Sequence, residues 1–191
     1  MINQEAKNEN NNVASEKLLK SRSIIISGEI NQALAEKISS QLLLLQEMGD
    51  EPIKLFINSQ GGNVDAGDTI HDMIKFIKPR VIVIGTGLVA SAAITIYLAA
   101  NKEDRYSLPN TRYMIHQPSG GVNGSAADID IEAREMLRVR ERLNEIISKA
   151  TGQSLEKVEK DTDRNYWMNS TEAIDYGIVY KVISSYNELE D

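Results

Sequence analysis

Three short segments of the sequence carry groups that could act together in nucleophilic catalysis. Ser91 follows an apolar segment and a glycine-containing turn, and it precedes a run of small residues typical of a helix. A neutral serine hydroxyl needs a base beside it before it can attack a carbonyl carbon. His116 ends another apolar segment, a position where active sites of α/β sheets are commonly found. Gly61 and Gly62 follow a third apolar segment, and their backbone could approach a substrate carbonyl closely.

Each of these signals also has an ordinary structural explanation when it is taken alone. A serine at the start of a helix commonly caps that helix. His116 could be a hydrogen-bonded structural residue, and a Gly-Gly pair forms a turn more often than an oxyanion hole. The second histidine, His71, lies off the apolar stripe of its predicted helix, so we expect it at the solvated surface. The residues alone therefore leave both interpretations open.

Composition narrows the chemistry that the chain could perform. The 191 residues include no cysteine and two histidines, which excludes disulfides, cysteine nucleophiles and histidine-rich metal sites. A carboxylate-only metal site remains possible, but the acidic residues are spread along predicted helices, so we expect no metal and no cofactor. The formal net charge of −7 and the lack of a basic tract argue against a nucleic-acid partner. The absence of an 18-residue apolar run and of a signal-peptide core predicts a cytoplasmic protein without membrane contact.

The hydrophobic pattern predicts strands that alternate with helices. We expect an α/β domain with mainly parallel sheets, in which crossover helices connect successive strands. The polar, Asn-rich residues 1–17 predict a flexible N-terminal arm, and residues 18–191 form one domain. Loops are expected at 58–62 and 85–87, where glycines follow apolar strands. The predicted strands are 24–26, 53–57, 81–84, 105–107, 112–116 and 178–183, and the predicted helices are 31–48, 65–77, 91–100, 126–150, 154–162 and 170–176.

Several segments resemble the proteolytic subunit of the Clp protease. The resemblance runs in order from about Leu18 to Ile183, and its most specific part is Met-Ile-His-Gln-Pro. The segments that carry it are Phe-Ile-Asn-Ser-Gln-Gly-Gly (56–62), Phe-Ile-Lys-Pro (76–79), Ala-Ser-Ala-Ala (90–93), Leu-Pro-Asn-Thr-Arg-Tyr-Met-Ile-His-Gln-Pro (108–118), Thr-Gly-Gln-Ser-Leu (151–155) and Asp-Thr-Asp-Arg (161–164).

The resemblance implies a fold, an assembly and an activity. The fold is a crotonase-like ββα spiral with a protruding handle, here about residues 118–150. The assembly is a homo-oligomer of two heptameric rings, a tetradecamer, stacked handle to handle around a chamber. A Clp-family ATPase unfoldase feeds unfolded protein substrates into that chamber, where a serine endopeptidase cleaves them. ATP is used by the partner and not by this chain.

The resemblance also implies the roles of single residues. By position, Ser91 is the nucleophile and His116 is the base. The N–H groups of Gly62 and Ala92 form the oxyanion hole. The third catalytic position, an aspartate in the family, is Asn165 here. Because asparagine carries no charge to stabilise the imidazolium, we expect low intrinsic activity.

Other departures and matches concern the loops and the assembly. Gln60 replaces a proline of the family, and Ala92 replaces a common methionine, but the glycines and the backbone N–H groups remain. Asp163 and Arg164 match an ion-pair network between rings, so we expect them to be structural. Phe56 and Phe76 match an apolar pocket for the ATPase, although they would serve equally well as core residues. The N-terminal residues match neither the apolar segment nor the axial loop of the family.

Three functions are compatible with these features. The first is a serine peptidase that is active alone or conditionally. The second is a mainly structural or regulatory ring subunit that acts in a mixed complex with a fully catalytic paralogue, which Asn165 favours. The third is an acyl-CoA enzyme of the same spiral fold, which would not need the Ser91–His116 pair.

Overall fold

The structure, a computed structural model, describes residues 16–189. Residues 16–20 form a helical turn, and the remainder of the predicted N-terminal arm lies outside the described residues. The division into an arm at 1–17 and a domain at 18–191 therefore stays a prediction. No helix in the described range is both long and apolar enough to cross a membrane.

A seven-stranded sheet forms the centre of the molecule. Its main path runs β1–β2–β3–β4–β7, and every pairing on that path is parallel. β5 pairs in parallel with the far end of β3, and β6 pairs antiparallel with β5. The predicted α/β class is thus confirmed. The strands are β1 (Ser23–Ile30), β2 (Ile53–Gly62), β3 (Val81–Ala90), β4 (Arg105–Ser107), β5 (Arg112–Ile115), β6 (Tyr166–Asn169) and β7 (Lys181–Val182).

Helices follow most of the strands and begin with recognisable caps. The predicted cap Asn31 accepts a hydrogen bond from the N–H of Leu34, and Ser125 forms a reciprocal capping box with Asp128. The last helix is capped by Asn169, which accepts hydrogen bonds from the N–H groups of Thr171 and Glu172. The helices are α1 (Gln32–Met48), α2 (Val64–Phe76), α3 (Ala92–Tyr97), α4 (Ala126–Thr151), α5 (Leu155–Thr162) and α6 (Ser170–Tyr176).

Strands β2 and β3 extend through the glycines that were expected to form loops. β2 continues to Gly62, with a register irregularity against β1 between Ser27 and Glu29. β3 continues through Gly85 to Ala90, and a side chain at Gly85 would collide with the hydroxyl of Tyr113. These glycines therefore serve close packing inside the sheet, and the expectation of loops at 58–62 and 85–87 was wrong. The longer strands carry Ser91 and Gly62 to the same end of the sheet.

The second histidine, His71, lies in the interior rather than at the predicted solvated surface. Its side chain is 6% exposed, and its Nδ1 lies 2.8 Å from the carbonyl oxygen of Thr95 in α3. α2 packs against α3, so the face of α2 that carries His71 is covered even though it is not apolar. His71 thus supports the helix that follows Ser91.

Helix α4 matches the predicted handle. It spans 26 residues, but its buried side chains, Asn144, Ile147 and Thr151, all lie in its C-terminal half. The N-terminal half projects from the domain and exposes apolar side chains, among them Ile131 at 62% and Leu137 at 56%. A helix of this kind needs another surface to cover its apolar residues.

Candidate active site

Ser91 occupies a strained backbone position at the end of β3. Its φ and ψ angles are 57° and −127°, which is unusual for a residue with a side chain. The side chain makes no capping hydrogen bond to α3, so the interpretation of Ser91 as a simple helix cap fails. The sharp turn between β3 and α3 instead presents Oγ outside the carboxyl end of the strand.

His116 follows β5 and points at Ser91. Its Nε2 lies 2.7 Å from the Ser91 Oγ, which is hydrogen-bond distance for a nucleophile and its base. The backbone fixes both residues, because the N–H of Ser91 donates to the carbonyl of Met114 at 3.0 Å. Parallel pairing of Ala90 with Met114 brings the two segments side by side. The structure thus brings together the two residues that the sequence singled out.

The two predicted oxyanion-hole residues flank the nucleophile. Ala92 is the first residue of α3, and the N–H groups in the first turn of a helix have no partner inside the helix. Gly61, with φ of 95°, contacts Ser91 so closely that an added Cβ would lie 2.6 Å from the serine Cβ. Gly62 packs against the backbone of Ile30 in β1. The glycine pair therefore lets β2 approach the nucleophile.

Asn165 precedes β6, next to the end of β5 that His116 follows, and it makes no hydrogen bond to the His116 ring. β5 and β6 run antiparallel with Ile115 opposite Tyr166, which places the next pair, His116 and Asn165, at adjoining positions. Among residues 16–189, no hydrogen bond joins Asn165 to His116, and Asn165 is exposed. Within residues 16–189, the imidazole of His116 is therefore hydrogen-bonded at Nε2 and not at Nδ1.

The segment around Asn165 is anchored through its neighbours. The N–H of Gln117 donates to the carbonyl of Thr162 at 2.6 Å. The Gln117 side-chain amide donates to the carbonyl of Asp163 at 2.7 Å. A looser ion pair of 3.5 Å joins Asp163 to Arg140 in α4. Asp163 therefore faces the handle and not the imidazole of His116.

Two spaces adjoin the nucleophile, and they share Val64, Ser91, His116 and Pro118 as lining residues. An enclosed cavity with mainly apolar walls lies beside α3 and α4, and an open, polar cleft runs over β1 and β2. The cavity is lined by Val64, Ile94, Thr95, Ile115, Leu143 and Ile147, together with Ser91 and His116. The cleft is lined by Glu29, Gln60, Gly61, Gly62 and Ser119, again with Ser91 and His116. Glu29 was not singled out from the sequence, because the register that brings β1 to this cleft cannot be deduced from composition.

A charged pair ties the handle to the helix behind the site. Arg142 in α4 forms an ion pair with Asp68 in α2, and the second carboxylate oxygen of Asp68 is buried without a partner. Burial raises the pKa of Asp68, and Arg142 partly opposes this shift. Residues 16–189 contain no group of three or more acidic or histidine side chains that could hold a metal ion. The expected absence of a cofactor stays a prediction.

Comparison with known proteins gives consistent matches over nearly the whole chain. The family described as "Clp protease" matches residues 5–186. The "ATP-dependent Clp protease proteolytic subunit 3" of Rhizobium etli is 58% identical over 168 residues, covering 88% of this chain and 87% of that protein. The corresponding "proteolytic subunit 2" of Pseudomonas aeruginosa is 50% identical, covering 90% and 85%.

Solved structures of Listeria monocytogenes proteins have the same fold. A chain described as "ClpP1 N165D mutant" superposes with a TM-score of 0.87 at 60% identity, covering 92% of this chain and 99% of that one. The chain described as "ClpP1" gives a TM-score of 0.84 at the same identity and coverage. The predicted spiral fold with a protruding handle is thus confirmed.

Proposed function

This chain belongs to the Clp protease family and is a proteolytic subunit of the Clp type, and we propose that Ser91 and His116 carry its peptidase chemistry. The observation that supports this assignment most strongly is the 2.7 Å separation of His116 Nε2 from Ser91 Oγ. The strained φ of Ser91 is consistent with it, because residues with a strained backbone cluster at active sites.

The reaction follows from the placement of these groups. Ser91 Oγ attacks the substrate carbonyl carbon while its proton passes to His116 Nε2, so that an O–C bond forms and the carbonyl oxygen becomes negative. The N–H groups of Gly62 and Ala92 donate to that oxygen. When the C–N bond breaks, His116 returns the proton to the leaving amine. Water then attacks the acyl-enzyme by the same route and releases the second product.

We assign Asn165 to the third catalytic position, and we expect it to make the subunit weakly active alone. An aspartate there would accept a hydrogen bond from Nδ1–H and stabilise the imidazolium. Asparagine is neutral, and the described structure shows no hydrogen bond from it to His116. The pair of residues that performs attack is therefore assembled, whereas the charge that would support it is missing.

The handle supports assembly into closed rings. Its exposed apolar side chains lie on a projecting helix that contributes little to the core of its own domain. We infer that two heptameric rings meet through these handles and enclose the active sites. Phe76, which is 76% exposed at the end of α2, supports an apolar docking site for a Clp-family ATPase that delivers unfolded chains.

A second function is favoured by one observation. The neutral Asn165 fits a subunit that contributes mainly structure or regulation to a mixed complex with a catalytic paralogue. In that case, the wild-type chain would contribute subunit contacts to the mixed complex but little peptide hydrolysis. Comparing the mixed complex with one that contains Ser91→Ala separates the two functions, because only a catalytic contribution is lost with the hydroxyl.

A covalent probe tests the primary assignment. A fluorophosphonate should modify Ser91 over hours, and mass spectrometry of the digested protein should locate the adduct. Ser91→Ala should remain unmodified, and the exposed Ser27→Ala in β1 should react like the wild type. Absence of any adduct on Ser91 in an assembled ring would contradict the assignment.

A further inference from the structure

Glu29 places a carboxylate at the cleft that contains the nucleophile. It lies near the end of β1, is exposed, and lines the cleft together with Gln60, Ser91 and His116. In the parallel pairing of β1 with β2, Glu29 stands directly opposite Gly61. Glu29 and Gly61 therefore lie side by side in the wall of the same cleft.

The missing side chain of Gly61 leaves the path from Glu29 to the nucleophile open. A Cβ on Gly61 would point at Ser91, 2.6 Å from its Cβ. Because Gly61 has no side chain, nothing on β2 separates Glu29 from the side of the cleft where Ser91 lies. A charge at Glu29 therefore acts on a substrate that is held above Gly61.

The backbone around Glu29 is firmly positioned. The hydroxyl of Ser59 donates to the carbonyl of Gly28 at 2.5 Å and accepts from the N–H of Gly61 at 3.0 Å. On the other side, the N–H of Asn63 donates to the carbonyl of Ile30 at 2.8 Å. The end of β1 is thus fixed to the segment that carries the oxyanion-hole glycine. A fixed backbone reduces the entropy that is lost when Glu29 contacts a ligand.

The carboxylate of Glu29 has no cationic partner within the described part of the chain. None of the ion pairs among residues 16–189 involves Glu29. The other side chains that line the cleft are neutral apart from the titratable His116. A cationic group on a bound substrate would therefore find one acidic side chain at a defined place.

The positions of the cavity and the cleft indicate which substrate residue meets Glu29. The enclosed apolar cavity, lined by Ile94, Leu143 and Ile147, suits the side chain on the acyl side of the scissile bond. Glu29, Gln60 and Gly61 line the open cleft and do not line the cavity. If an extended substrate fills the cavity with its acyl-side side chain, its leaving-group side lies in the cleft, over Glu29.

We propose that Glu29 is a specificity-determining residue that favours lysine or arginine immediately after the scissile bond. This inference rests on the proposed function of Ser91. Glu29 makes no bond in the reaction, and it acts by attracting a cationic side chain on the leaving amine. At an effective dielectric between those of water and a protein surface, one such contact corresponds to about a fivefold preference for lysine over glutamine.

Three matched peptides test the inference. They share one sequence and carry lysine, glutamine or glutamate after the cleaved bond, and the subunit is in excess so that a single turnover is followed by mass spectrometry. The wild type should cleave them in the order lysine, glutamine, glutamate, with a span of about tenfold at low salt. In Glu29→Gln the three rates should converge, and in Glu29→Lys their order should reverse. The matched control Glu36→Gln, an exposed acid on α1 outside the cleft, should keep the wild-type order.

A neutral fluorophosphonate separates failure of this inference from failure of the proposed function. Its rate of reaction with Ser91 should be the same in the wild type, Glu29→Gln and Glu36→Gln. Equal cleavage of the three peptides by an unlabelled, assembled wild type, whose Ser91 reacts with the probe in a parallel sample, would overturn the role of Glu29 alone, and so would equal absence of cleavage. Absence of labelling in the wild type would overturn the assignment of Ser91.

Discussion

Two parts of the active site differ in how completely they are formed. The nucleophile cluster, which we define as Gly61, Ser91, Ala92 and His116, has a strained serine, a close glycine and a 2.7 Å contact between hydroxyl and imidazole. The corner of residues 163–165 is exposed, and it holds the neighbouring strand without holding the imidazole. In the proposed function, attack and oxyanion stabilisation depend on the first part, and support of the imidazolium depends on the second. We therefore propose a subunit whose nucleophile and base are assembled and whose reaction is slow because Asn165 supplies no charge to the imidazolium.

The nucleophile cluster should account for nearly all peptide hydrolysis. Replacing Ser91 by alanine removes the group that we propose forms the acyl-enzyme, so we expect a loss of at least ~10³ in kcat. Peptide cleavage followed by mass spectrometry checks this, with Ser27→Ala as a control. Substantial residual hydrolysis by purified Ser91→Ala would show that the cluster is not the catalytic site.

Gly61 tests how closely the cluster must be packed. In Gly61→Ala the new Cβ would meet Ser91 and the carbonyl of Ala90, and the φ of 95° would also be strained. Displacement of a reacting group by about 1 Å costs on the order of 10² in rate. We therefore expect fluorophosphonate labelling to fall by that factor while the ring persists in native mass spectrometry. Gly121→Ala, where an added Cβ meets nothing within 4 Å, should label normally.

Asn165 tests whether the corner of residues 163–165 limits the rate. Asn165→Asp supplies a negative charge beside the Nδ1–H of His116, and we expect a gain of about ten- to a hundredfold in peptide hydrolysis, or roughly 1.4 to 2.7 kcal/mol of barrier. The gain should appear in kcat more than in KM, because the charge matters once the imidazolium forms. Asn187→Asp, an exposed substitution elsewhere, should change neither.

A different outcome for Asn165→Asp would reassign the limit to assembly. If the substitution alone gave no gain and a catalytic paralogue strongly activated the wild type, ring conformation and not imidazole support would control activity. Measuring each protein alone and mixed distinguishes these cases.

The handle should affect assembly more than chemistry. Leu137→Glu introduces a charge on an exposed apolar surface that we expect to be covered between rings, and it should weaken ring–ring association about tenfold or more. Native mass spectrometry would then show heptamers in place of tetradecamers. Glu132→Gln on the same helix should leave the distribution unchanged. Equal distributions for both variants would argue that rings do not meet through this face.

The smallest expected effect concerns the pair that ties the handle to α2. Because burial raises the pKa of Asp68 above its ordinary value of 3.8, the folded protein binds its proton more tightly than the unfolded chain. Its contribution to stability is therefore fully present below pH 3.8 and is lost as the pH rises through the raised pKa. Asp68→Asn should show a flatter dependence of melting temperature on pH above that value. An identical pH dependence in variant and wild type would remove Asp68 as the cause.

Much of the fold could be predicted from the sequence because its signals are local. The caps at Asn31 and Ser125 and the apolar stripe of α1 depend on residues within one or two helical turns. The glycines of β2 and β3 were misread, since Gly85 is required by the distant hydroxyl of Tyr113. His71 was misplaced because its burial depends on how α2 packs against α3.

The candidate site shows the same division between local and distant information. Ser91 and His116 could be selected by residue type and position, and the structure brings them together. Glu29 could not, because its place at the cleft depends on a parallel register with an irregularity near Gly28. Sequence periodicity indicates which face a strand buries, but it does not indicate which residue of a neighbouring strand stands opposite.

The rate of Ser91 modification in three proteins tests the central claim most directly. The claim is that the nucleophile and base are already assembled, and that Asn165 limits their rate. A fluorophosphonate should modify Ser91 measurably in the wild type, about tenfold or more faster in Asn165→Asp, and far more slowly in His116→Ala. Equal rates in the wild type and His116→Ala would contradict the claim, because the imidazole would then play no part in activating the hydroxyl.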